Sequence, residues 1–87
     1  MSKEILLEVH DLQPPQPMEL ALDALDKLQL GEYIKMVHRM QPFPLFKILD
    51  ENSFRYRVTD SDTSAFDIYI WHASDKQTAE DIKKIIG

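Results

Sequence analysis

The chain has 87 residues, no cysteine and a formal net charge of −5. A chain this long buries roughly two-thirds of its unfolded surface, so residues 1–87 are expected to form one domain with one modest core. The missing thiol excludes disulfides, Cys-ligated zinc, iron–sulfur clusters and persulfide carriage, and 15 acids against 10 bases argue against nucleic acid or an anionic membrane as partner.

Glu4 to His10 alternates with a period of two, which predicts a first strand with Ile5, Leu7 and Val9 on one side and Leu6, Glu8 and His10 on the other. Pro14, Pro15 and Pro17 follow, a cluster that neither a strand ladder nor a helix interior accepts. Pro17 suits the first turn of a helix, where a missing N–H costs nothing. Met18 to Leu30 then places Met18, Ala21, Leu22, Leu25 and Leu28 on one helical face, with Gly31 as the left-handed residue that ends it. Tyr33 to Arg39 predicts a second strand, with Ile34, Met36 and His38 opposite Tyr33, Lys35, Val37 and Arg39.

Pro44 starts a second, short helix that buries Leu45, Ile48 and Leu49, and Phe43 in the turn before it is expected to be buried. Phe54 to Thr59 and Ala65 to His72 are the third and fourth strands, joined by the polar loop Asp60-Ser61-Asp62-Thr63. Ser74 or Thr78 would cap a last helix that ends near Ile86, with Ala79, Ile82, Ile85 and Ile86 as its apolar stripe.

The order β-α-β-α-β-β implies a two-layer α/β sandwich: a four-stranded mixed sheet with two helices on one face, plus the extra C-terminal helix. Each strand–helix–strand step favours parallel neighbours, and the last two strands should be antiparallel. No leader pattern, myristoylation start or membrane-length apolar run is present, so the expected location is cytoplasmic.

The segment Leu12-Gln13-Pro14-Pro15-Gln16-Pro17, with the element order and length, resembles the TusA/SirA-like family. Those small proteins carry Cys-Pro-x-Pro between the first strand and first helix. Here Pro14 stands at the cysteine position, and Pro15 and Pro17 match the two prolines. The chain is more similar to an uncharacterised cysteine-less relative of that family. The shared features are Leu12, Pro14-Pro15-x-Pro17, Gly31-Glu32 and Arg39-x-x-Pro42-x-Pro44-Leu45. The resemblance covers residues 4–72 and leaves 73–87 as an extension. It implies the sandwich fold and a setting in redox, sulfur or nitrogen-oxide metabolism. The relay role does not carry over, because no residue can hold a sulfane sulfur.

The chemistry-bearing residues gather at one predicted sheet edge. If the first two strands are parallel neighbours, His10, His38 and Arg39 lie at their carboxyl ends, beside the proline loops, where open α/β sheets bind ligands. The N–H groups of Met18 to Leu20 would favour a small anion there. Two imidazoles are a minimal start for a transition metal or haem, although alternation sends His10 and His38 to opposite faces. The plainer reading makes both of them strand-end residues. Lys35, Arg39, Lys47, Arg55 and Arg57 make the middle of the chain basic, as a patch for an acidic surface or simply as solvated charge. Tyr69 and Trp71 share an outward strand face that the last helix would cover.

These residues point to a small, non-catalytic binding or adaptor protein that acts through a protein partner. Its surface would be His10, Pro14, Pro15, Pro17, His38, Arg39 and Pro42. The alternatives are a metal- or haem-binding accessory protein that uses His10 and His38, and an enzyme with His38 as base and Arg39 as anion clamp.

Overall fold

The computed structural model describes residues 2–87. Its elements run β1 (Lys3–Glu8), α1 (Gln16–Lys27), β2 (Glu32–His38), α2 (Phe43–Glu51), β3 (Phe54–Asp60), β4 (Phe66–His72) and α3 (Lys76–Ile86). The four strands form one mixed sheet in the order β1-β2-β4-β3, with β1 parallel to β2 and the other pairs antiparallel. The predicted α/β sandwich is therefore present.

The neighbour rule holds for the first crossover and fails for the second. β3 does not pair with β2, because β4 folds back from β3 and lies between them. Burial explains the order. Asp67 to Trp71 is buried without a break, and a strand covered on both faces belongs at the centre of a sheet. β3 exposes Arg55 and Arg57, and such charges protect an edge.

Alternation divides the core in two. On one face, Ile34, Met36, Ile68 and Ile70 pack against Ala21, Leu25 and Leu28 of the α1 segment and Leu45, Phe46 and Leu49 of α2. On the other, Tyr33, Tyr69 and Trp71 pack under Ile82 of α3, joined by Ala79 and Ile86. The C-terminal helix thus adds a third layer. It is tied down by polar contacts at its N-cap and at its middle. Asp75 Oδ2 accepts the Gly31 N–H at 2.7 Å, and Asp81 Oδ2 accepts the Ser2 N–H and hydroxyl at 3.0 and 2.7 Å. No described helix is long and apolar enough to cross a membrane.

Several local expectations are corrected. β1 ends at Glu8, before His10. α1 starts at Gln16 and ends at Lys27, so Gly31, at φ 87°, serves the turn into β2 and not the helix end. Leu22 is 40% exposed, and Phe46 replaces Ile48 in the core because its ring stacks on Tyr56 at 4.4 Å. Phe43 is 67% exposed: it is the first residue of α2, and its ring meets only the outer edge of the stack, 5.8 Å from Phe46 and edge-on. Asp75, rather than Ser74 or Thr78, caps α3 and accepts the Thr78 N–H at 3.1 Å. Ile85 is half exposed.

Candidate functional site

Because β1 and β2 are parallel neighbours, the loops that leave them open at the same sheet end. Each loop runs into a helix through a proline pair. Pro15 caps α1 with Pro17 in its first turn, and Pro42 caps α2 with Pro44 in its first turn. Proline fixes φ and removes a donor at positions where the donor would be spare. The remaining donors are mostly consumed locally. In α2, Phe43 N–H donates to Gln41 O, and the N–H groups of Leu45 and Phe46 donate to Pro42 O. In α1, Glu19 N–H donates to Pro15 O, and Met18 N–H has no backbone acceptor among the described residues. The anion site expected at Met18 to Leu20 therefore reduces to one donor.

Between the two loops lies a pocket of about 230 Å³. Leu12, Pro14, Pro15, Pro17 and Met18 line it from the first loop and α1. Arg39, Met40, Gln41, Pro42 and Pro44 line it from the second loop, with fully buried Met36 and Leu45 behind them. No acidic residue contributes to the lining. The polar groups are His38, Arg39 and the Gln41 amide.

His38 is the last residue of β2 and, by alternation with Ile34 and Met36, faces the helix layer. It is only 5% exposed. Its Nδ1 accepts the Met40 N–H at 3.3 Å. Burial, and then the adjacent Arg39 cation, push its pKa below the usual imidazole value. The ring is therefore neutral at pH 7 and carries its proton on Nε2. Among the described residues Nε2 donates to no protein atom, yet Asp67 Oδ1 is the only sealed, unpartnered side-chain polar atom there. Nε2 thus keeps its access to the pocket that His38 lines. Arg39 is exposed and meets no carboxylate among the described residues.

Of the candidate surface residues, Pro14, Pro15, Pro17, His38, Arg39 and Pro42 share this pocket, and His10 does not. His10 follows β1 and lies 3.8 Å from both Glu8 and Asp11. The structure thus does not gather His10 and His38 with a third ligand. Among the described residues, no group of three His, Cys, Asp or Glu side chains could hold a metal ion.

The basic stretch does not converge either. Lys35 faces Asp67 at 3.8 Å, and Arg55 and Arg57 stand on the edge strand. His72 is structural, with Nε2 2.7 Å from Leu28 O and its ring 4.8 Å from Phe54. α3 covers Tyr69 and Trp71, as expected.

Sequence reading missed the methionines. Met18, Met36 and Met40 supply much of the apolar lining, and methionine is adaptable packing material at binding surfaces. The available signal was the repetition of a proline pair before each helix, which marks two stiff walls of one cleft.

Residues 6–72, which include every residue that lines the pocket, match the model of an uncharacterised conserved protein family, DUF2249. No curated protein and no solved structure matches the chain.

Proposed function

We propose that this chain, which belongs to the DUF2249 family of uncharacterised conserved proteins, is a non-catalytic adaptor that seats an apolar side chain of a protein partner. The proline-framed pocket carries this reading. It is concave, apolar and already formed, with a few hydrogen-bonding groups in its lining, as binding sites commonly are. The prolines hold its walls without a ligand, which lowers the ordering cost of association. Exposed Met40 and Phe43 extend the apolar surface beyond the cavity, and such patches mark interaction sites.

The state of His38 favours binding over catalysis. A general base must present an unprotonated nitrogen to the substrate. Here that nitrogen, Nδ1, is taken by the Met40 N–H, and Nε2 brings a proton. Geometry gives less support to a metal- or haem-binding role, since His10 lies outside the pocket. The resemblance to sulfur-relay proteins suggests that the partner belongs to redox or sulfur metabolism. On that view, Pro14 has turned a transfer site into a docking site.

Selection of displayed random peptides on the immobilised protein tests the reading. Enriched peptides should share an aromatic or branched aliphatic anchor. They should shift the amides of Met36 to Gln41, and they should lose binding at least tenfold in Met40→Asp, a change at an exposed rim position. No enrichment, or equal binding to Met40→Asp with those amides unmoved, overturns it.

A further inference from the structure

We infer that the anchor is the last residue of the partner chain, with its α-carboxylate held by His38 and Arg39. This rests on the adaptor reading above and adds the chemistry of the occupant. A 150 Å³ apolar cavity is enough to bind benzene. At about 230 Å³, the pocket takes a phenyl or branched aliphatic side chain with its Cβ and part of the backbone.

The polar side of the pocket is built from donors. His38 offers Nε2–H, Arg39 offers a guanidinium with no carboxylate partner among the described residues, and Met18 offers a free backbone N–H. The Gln41 amide adapts to either role. Such a set calls for an acceptor group, and the planar fork of arginine matches a carboxylate in two-point contact. One cation and a neutral imidazole suit a single negative charge. A polyanion would also meet the net charge of −5 carried by the whole chain.

The source of that carboxylate follows from the rim. A free carboxylic acid would fill the cavity and leave Met40 and Phe43, 51% and 67% exposed, uncovered. The residues before a chain terminus would lie over them. An internal residue of a partner would bring a neutral peptide carbonyl to Arg39 in place of a charge. Capture of a terminal carboxylate is an established mode of peptide recognition.

The test is an amide-resolved NMR titration of the full chain at pH 7 with acetyl-Gly-Gly-Gly-Phe, and its Leu and Trp counterparts, as free acids and as C-terminal amides. N-acetylphenylalanine is the small-molecule arm. At least one free acid should saturate shifts at Met18, His38 and Arg39 and bind at least tenfold tighter than its amide. In Arg39→Gln the acid should lose at least fivefold more affinity than the amide does, and amide dispersion matching the parent's shows that the variant is folded. N-acetylphenylalanine should bind more weakly than the peptide. If acid and amide bind the pocket equally, the carboxylate inference falls and the apolar-anchor reading stands. If N-acetylphenylalanine binds as tightly as the peptide, the occupant is a free acid and not a chain terminus. If no probe moves the pocket amides, both readings fall.

Discussion

Two titratable side chains show how burial converts into pH dependence. Tyr33 Oη–H donates to Glu4 Oε1 at 3.1 Å. Burial, then the Glu4 hydrogen bond and charge, raise its pKa to about 12. The folded value lies above the unfolded value of about 10. The protonated phenol therefore stabilises the fold fully below about pH 10, and the contribution is lost as pH rises toward 12. Tyr33→Phe should cost about 1 kcal/mol at pH 7. It should also reduce the alkaline loss of stability in urea unfolding between about pH 10 and 12, with Tyr69, also raised by burial, supplying the remainder.

His38 has the opposite sign. Its pKa is lowered by burial and by Arg39, so the unfolded chain binds the proton first. Stability is then full above about 6.5, the unfolded value, and declines as pH falls through the interval between the two values. His38→Gln should remove that decline, measured by urea midpoints from pH 7 downward. An unchanged slope would mean that another group carries it. The inward face of His38 was legible, because alternation with Ile34 and Met36 settles it. The exposure of Phe43 was not, because a Phe between two prolines has no period to read.

At the scale of elements, α3 depends on a contact far along the chain. Asp75 Oδ1 accepts the Thr78 N–H, while Oδ2 accepts the Thr78 hydroxyl at 2.6 Å and the Gly31 N–H at 2.7 Å. Burial pushes the Asp75 carboxyl up, but these three donors outweigh it and hold the pKa below the usual range. Asp75→Ala removes the cap and strands the donors, and a loss of about 1–2 kcal/mol is expected for the cap alone. Asp75→Asn keeps an acceptor for Thr78 and should lose less. Thermal melts of the two variants check the order, and equal losses would show that charge, not capping, is what matters.

The existence of α3 was legible from Ala79, Ile82 and Ile86, since a stripe at helical spacing needs a face to bury. Its cap was not. Ser74, Asp75 and Thr78 lie within one turn, and the choice is made by Gly31, 44 residues away. Sheet order was partly legible for the same reason. Local alternation identifies the strands, but the central place of β4 follows from its cover on both faces, which no single segment records.

At the scale of the molecule, the family match ends at residue 72, while the cap and helix α3 follow it. A helix appended to a finished two-layer fold would come off first on unfolding. β4 argues otherwise. Its alternate residues Ile68 and Ile70 enter one cluster, and Tyr69 and Trp71 enter the other. One central strand therefore belongs to both cores, and neither face can lose its cover without loosening the strand that holds the other. Trp71 is the only tryptophan and packs in the α3 cluster, so its fluorescence reports that layer alone. Far-UV circular dichroism reports the whole chain. The two probes should give coincident urea transitions, as cooperative unfolding requires. Ile82 is 1% exposed at the centre of the α3 contact. Ile82→Ala should destabilise by about 2–4 kcal/mol and move both transitions together. A Trp71 transition that precedes the circular dichroism change, in the parent or in Ile82→Ala, would mean that α3 is a detachable cover and that the pocket side folds without it.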